Sequence, residues 1–200
     1  MNATAADQPR NHAPATPDAA PDAALPMPPA LPDRLGPLVR ADGRWVVGDA
    51  AGRAHLTFER EGLVHHVAGR DAYLVEWDRL MELGVAVTVD RFSSSKFGGL
   101  FSKGSGITVH GSCVQAMVRH PYDMWSAEFS HHRGFYSARE IVLLQGLLGV
   151  VVDRKRADLL GDDAWLTAAV QRVAQHHFAV KWRSADDVTA IVDELLARTS

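Results

Sequence analysis

The sequence predicts an α+β fold in which antiparallel strands come first and helices follow. Residues 44 to 132 contain short runs that alternate apolar and polar side chains, and turn residues separate these runs at hairpin spacing. Residues 137 to 200 repeat apolar side chains at helical spacing instead. About seven short strands followed by helices indicate an antiparallel β-barrel or strongly bent sheet, then a capping helix and two further C-terminal helices.

The first 37 residues differ in composition from the rest of the chain. They hold nine of the ten prolines and ten alanines, and few large apolar side chains. Such a segment cannot bury enough surface to offset the entropy of ordering, so we expect a disordered arm over residues 1–37. The arm has no apolar run long enough for a signal peptide or a membrane span.

The strand predictions follow the alternation of side chains and the β-branched residues. The predicted strands are Arg44–Val47, Ala54–Arg60, Leu63–Val67, Ala72–Trp77, Val85–Phe92, Ile107–His110, Val114–Val118 and Met124–Phe129. We expect a short helix or turn over Asp78–Gly84.

The first predicted helix begins with a capping box formed by Ser137 and Glu140. The helix runs to Val152 and is apolar on nearly every side, but it is too short to span a bilayer. It is therefore predicted to be buried, with Gly146 and Gly149 permitting close approach of another backbone.

Two further helices are predicted in the C-terminal region. The second begins at Asp162 or Asp163, and the third opens at residues 184–187. The third helix carries an apolar stripe at helical spacing, namely Val188, Ile191, Val192, Leu195 and Leu196. We expect this stripe to cover the protein's own core, and docking of a partner is the alternative.

Short strands come first in the sequence and a capped apolar helix follows, and Tyr73–Leu80 forms a predicted strand that ends in Trp77 and an Asp-x-Leu turn. This order resembles that of bacterial pleckstrin-homology-like (PH-like) domains. The resemblance implies a barrel plugged at one end by the helix, and a scaffold that binds lipid head groups, peptides or other proteins. It divides the chain into the arm, a PH-like domain over residues 38–152 and a helical extension over residues 153–200 packed on that domain.

Charge and cysteine content narrow the function classes. The formal net charge of −3 argues against a nucleic-acid partner, because such proteins usually carry a basic face. Cys113 is the only cysteine, so no intrachain disulfide can form and a reducing, cytoplasmic location fits best.

The glycine- and serine-rich stretch Ser93–Gly106 is the first candidate binding site. It is not a nucleotide-binding loop, because Lys103 precedes Gly104 instead of following the last glycine of the motif. Three interpretations stay open: the phenylalanines fold back onto the barrel, they contact a protein partner, or they enter an anionic membrane surface, which would place the protein at the membrane periphery. The candidate binding residues are Lys96, Phe97, Leu100, Phe101 and Lys103.

An enzyme that uses Cys113 as nucleophile is the competing class. His110 or His120 would have to lie within hydrogen-bond reach of the thiol to act as its base. A lone cysteine among apolar residues is more often a small buried hydrophobe.

The histidines allow a metal-site hypothesis that combines His65, Glu128 and His131. Adjacent residues on a strand point to opposite faces, and neither HExxH nor CxxC spacing is present. We therefore expect solvated or hydrogen-bonded histidines and no metal or other cofactor. The sequence favours a non-catalytic interaction module that binds a protein partner or an anionic lipid head group through residues 93–106, and it leaves the oligomeric state open.

Overall fold

The computed structural model describes residues 32–87, 111–133, 136–175 and 184–199. They form an α+β fold with a six-stranded antiparallel sheet, a three-stranded antiparallel sheet and three α-helices. Neither sheet closes into a barrel within these residues, so the structure confirms the α+β class but does not confirm the barrel.

The six-stranded sheet is a meander in which each strand pairs with the next along the chain. Its strands are β1 (Arg34–Leu35), β2 (Leu38–Ala41), β3 (Arg44–Val47), β4 (Ala54–Phe58), β5 (Gly62–Val67) and β6 (Tyr73–Glu76). The strand β1 lies inside the 1–37 segment that the sequence assigned to the arm, and it pairs with β2. Residues 1–31 lie outside the described residues.

One face of this sheet carries the core. A row of directly paired residues crosses all six strands on that face, in the order Leu35, Leu38, Val47, Leu56, His65 and Tyr73. The four aliphatic side chains of the row are at most 1% exposed, whereas Tyr73 at its end is 52% exposed. His65 therefore lies where the core meets the surface.

The three-stranded sheet follows a short 3-10 turn at Trp77–Arg79. Its strands are β7 (Leu80–Ala86), β8 (Cys113–Val118) and β9 (Asp123–Glu128), and β8 is central. The expected helix or turn over Asp78–Gly84 is thus wrong beyond Arg79. A register shift between Leu80 and Glu82 interrupts the alternation of buried and exposed side chains in β7. The sequence of β7 therefore lacks the period-two pattern that predicts a strand.

The helices are α1 (Ala138–Asp153), α2 (Asp163–Gln175) and α3 (Ser184–Ala197). The predicted capping box of α1 is confirmed: Ser137 Oγ accepts from the Glu140 N–H (3.2 Å), and a carboxylate oxygen of Glu140 accepts from the Ser137 N–H (3.0 Å). Asp162 caps α2 by accepting from the Trp165 N–H (3.0 Å). No helix in the described residues is long and apolar enough to cross a membrane.

Helix α1 covers the outer edge of β7. The Val85 N–H, which lies on that edge, donates to Oε1 of Gln145 on α1 (3.2 Å). Gly84 allows this approach, because a Cβ at that position would lie 2.9 Å from Nε2 of Gln145. The helix therefore prevents another strand from pairing with this edge.

Helix α3 packs its apolar stripe on the core, as the sequence predicts. Val188, Ile191 and Val192 are buried, and Leu195 and Leu196 are partly buried against the same cluster. An ion pair between Arg154 and Asp193 fastens α3 to the end of α1, with both carboxylate oxygens bonded at 2.8 and 2.9 Å.

The two glycines of α1 have different roles. A Cβ at Gly146 would come within 3.2 Å of Cγ1 of Val188 on α3, whereas a Cβ at Gly149 would meet nothing within 4 Å. The predicted close approach is therefore present at Gly146 alone of the two.

Replacement of each glycine by alanine tests this packing. Gly149→Ala should raise the free energy of unfolding by about 0.5–1 kcal/mol, because alanine is the better helix former and the space is open. Gly146→Ala should raise the free energy of unfolding by less than Gly149→Ala does, or lower it, because Val188 must shift to make room for the new Cβ. Urea denaturation of the two variants measures the difference, and equal gains would contradict the close packing of α1 on α3.

Candidate functional site

The segment that contains the predicted binding loop is anchored at one end of the three-stranded sheet. Ala86, the last residue of β7, pairs directly with Cys113, the first residue of β8. The chain that leaves the sheet at residue 87 and returns at residue 112 is therefore held at two adjacent points. The candidate binding residues themselves lie outside the described residues, so their assignment stays a prediction: Lys96, Phe97, Leu100, Phe101 and Lys103.

Exposed apolar side chains lie at the opposite end of the same sheet. Tyr122, in the turn between β8 and β9, is 71% exposed, and Met124 at the start of β9 is 42% exposed. Sequence reasoning did not single out these residues, because their exposure depends on strand register and on what the rest of the fold leaves uncovered. They provide a matched control surface for the loop.

Cys113 has the environment of a core thiol. Its side chain is fully buried, and this burial raises the pKa of the thiol. His120 follows the far end of β8, and at 3.3 Å per strand residue it lies roughly 15 Å or more from Cys113 along the strand. His110 lies outside the described residues. The structure thus does not bring Cys113 and His120 together.

The structure does bring His65 next to Glu128, but through the main chain of Glu128. The Nε2–H of His65 on β5 donates to the carbonyl oxygen of Glu128 on β9 (3.0 Å). The ring of Trp125 lies edge-on to His65 at 6.2 Å and stacks with Tyr73 at 6.3 Å. Burial lowers the pKa of His65, which favours a neutral hydrogen-bond donor at this contact.

His131 belongs to a different group of contacts. Its ring stacks with Phe129 at 6.1 Å and with Tyr136 at 5.0 Å, and its Nε2 hydrogen-bonds the hydroxyl of Ser112. The hypothetical metal set of His65, Glu128 and His131 is therefore not assembled. Within the described residues, no group of three or more His, Cys, Asp or Glu side chains could hold a metal ion.

Tyr136 and His132 form a contact that sequence reasoning missed. The Tyr136 hydroxyl accepts from the backbone N–H of His132 (3.1 Å) and lies 2.8 Å from Nδ1 of its ring. The guanidinium of Arg34 lies over the Tyr136 ring, 5.5 Å from its centre. The spacing of His132 and Tyr136 in the sequence does not predict their hydrogen bond. The contact of Tyr136 with Arg34 is not predictable either, because Arg34 lies on β1, far away in the sequence.

The residues that follow β9 join the two sheets. The backbone of Ser130 donates to the Ala54 carbonyl (2.7 Å) and accepts from the Asp49 N–H (2.8 Å), and its hydroxyl accepts from the Ala54 N–H (3.1 Å). We call this set of contacts the sheet junction. One residue earlier, the Phe129 N–H donates to the carbonyl of Ser112 (3.0 Å), which immediately precedes β8.

A small cleft lies between β3, β4 and the 3-10 turn at Ala157–Gly161. Its volume is about 170 Å³, below the several hundred that a small-molecule site usually occupies. Ion pairs between Arg40 and Asp163 (2.6 Å) and between Arg44 and Glu59 (2.7 Å) lie beside it. The cleft gives no support to a substrate pocket.

Comparison with known proteins adds no assignment: no protein-family model, curated protein or solved structure matches the chain.

Thiol labelling tests the environment of Cys113. In native protein at pH 8, we expect Cys113 to react with Ellman's reagent far more slowly than in urea-unfolded protein, because the thiol is buried and its pKa is raised. If the folded protein instead reacted rapidly and stoichiometrically, and its labelling rate plotted against pH had a midpoint below pH 8, Cys113 would be an accessible thiolate.

Proposed function

We propose that this chain is a non-catalytic interaction module whose 93–106 segment contacts a protein partner. The pairing of Ala86 with Cys113 is the observation that carries this proposal, because it anchors both ends of the intervening segment on a packed sheet. Long connections on a rigid scaffold are frequent binding elements, since the scaffold limits the entropy that binding must remove.

The chemistry of the segment favours a protein over a membrane. Its three apolar side chains lie between two lysines, which suits a partner with an apolar pocket and an acidic rim. Two lysines attract an anionic membrane by only about 2 kcal/mol, so lipid binding would need a further anchor. An anionic lipid head group is therefore the second outcome that an experiment must separate.

A PH-like scaffold in the cytoplasm is part of the same proposal. Strands precede the helix α1, α1 packs against the edge of β7, and Trp77 closes β6 with its indole N–H donating to the Glu59 carbonyl (2.9 Å). These features support the scaffold, and closure of the barrel would have to involve residues outside the described segments.

The competing enzyme hypothesis receives no support from the described residues. A cysteine nucleophile needs a thiolate and a neighbouring base. Cys113 is buried with a raised pKa, and His120 lies beyond the other end of β8.

A loop variant in which lysines and phenylalanines are replaced by serine tests the proposed site. The quadruple change Lys96→Ser, Phe97→Ser, Phe101→Ser and Lys103→Ser should abolish capture of a specific partner, because it removes both phenylalanines and both lysines of the segment and leaves Leu100 as its only large apolar side chain. The partner would be identified by mass spectrometry, purified and titrated against wild type by calorimetry, with circular dichroism to check the fold.

The double change Tyr122→Ser and Met124→Ser is the matched control, because it removes exposed apolar side chains at the other end of the same sheet. The control variant should bind the partner as the wild type does.

Flotation with vesicles of phosphatidylcholine, with and without phosphatidylserine, is measured in parallel. If the loop variant loses flotation with the anionic vesicles but still binds the protein partner, the loop is a lipid-binding element. Equal binding by wild type and the loop variant would overturn the proposed site.

A further inference from the structure

His132 and Tyr136 connect the exit of β9 to the start of α1. Tyr136 immediately precedes Ser137, the residue that caps α1, and its side chain is only 5% exposed. The Tyr136 hydroxyl accepts from the His132 backbone N–H and lies 2.8 Å from Nδ1 of the same residue. The tautomer that gives the buried hydroxyl proton an acceptor is the one with Nδ1 unprotonated and the single ring proton on Nε2.

Protonation of His132 would remove that acceptor. Nδ1 would then carry a hydrogen directed at a hydroxyl that already faces the backbone N–H, and the hydroxyl proton would lose its partner in a buried site. The two donors would compete for one oxygen.

The charges around His132 also oppose a second proton. Burial of the ring disfavours the imidazolium most, and Arg34 on β1 and His131, the preceding residue, disfavour it further. Asp49, from the connection between β3 and β4, is the acidic group that favours it. The combined effect lowers the pKa of His132 below its ordinary value of 6.5.

We propose that neutral His132 is a pH-sensitive latch: it holds the buried Tyr136 hydroxyl and thereby ties the exit of β9 to the first turn of α1, and protonation of the ring releases this tie. The latch is a regulatory device built into the scaffold, and it does not depend on what the 93–106 segment binds.

The direction of the pH effect follows from linkage. A histidine whose pKa is lower in the folded state binds more protons when the site is open. The contribution of the latch to stability is therefore fully present above pH 6.5, and it is lost as the pH falls from there through the folded-state value. Acid should open this region specifically.

Hydrogen exchange measured by mass spectrometry on the full chain tests the latch. After correction for the intrinsic pH dependence of exchange, peptides covering residues 129–133 and 136–144 of the wild type should lose up to about tenfold in protection for each pH unit below 6.5. Two variants isolate the contact. His132→Asn keeps an acceptor that cannot titrate, because Oδ1 of Asn is attached to Cγ as Nδ1 of His is, and it should abolish this acid response. Tyr136→Phe should exchange faster already at pH 7.5 and show little further change.

His120→Asn is the matched control, because it removes an exposed turn histidine at the other end of the three-stranded sheet. It should respond to acid like the wild type. Two results would overturn the proposal: unchanged protection of these peptides in wild type between pH 7.5 and 5, or a full acid response in His132→Asn. Circular dichroism at pH 7.5 confirms that each variant is folded, and His132→Asn provides a decisive result even if Tyr136→Phe fails to fold.

Discussion

The arrangement of the two sheets depends on the contacts of Ser130 with Asp49 and Ala54. These hydrogen bonds require the chain after β9 to lie directly on the connection between β3 and β4. Gly48 and Gly52 make this approach possible: a Cβ at Gly48 would lie 2.8 Å from Cβ of Phe129, and one at Gly52 would lie 2.4 Å from Cβ of Ser130. Gly48 also has a φ of +88°, which side chains rarely tolerate. Two glycines thus set how closely the sheets approach.

One anchor of the candidate site lies next to the sheet junction. The Phe129 N–H, one residue before Ser130, donates to the carbonyl of Ser112 and holds the point where the chain returns to the three-stranded sheet after the predicted binding segment. His131, one residue past Ser130, contacts the Ser112 hydroxyl. On the other side of the sheet junction, His65 bonds the main chain of Glu128 and completes the contact between β5 and β9. His65 and His131 therefore act as hydrogen-bonding groups between elements.

Local patterns predicted most of the elements, and long-range contacts account for the failures. The Ser137 and Glu140 capping box and the stripe on α3 were readable because each depends on residues three or four apart. The β7 strand was partly missed, because a register shift after Leu80 breaks its alternation. The contact of Tyr136 with His132 and Arg34 was not predictable, because no local rule places β1 beside the start of α1. Residues 88–110 lie outside the described residues, so the loop assignment rests on its chemistry and its anchors.

The most direct test of the sheet junction is amide hydrogen exchange by NMR at Asp49, Ala54 and Ser130. Each of these N–H groups donates to an atom on the opposite side of the sheet junction. If the sheet junction holds the two sheets together, the three amides should exchange only through global unfolding, with protection free energies equal to the stability from denaturation. Exchange of all three at the rate of unprotected amides, in protein whose β8 amides and remaining β4 amides stay protected, would contradict the account.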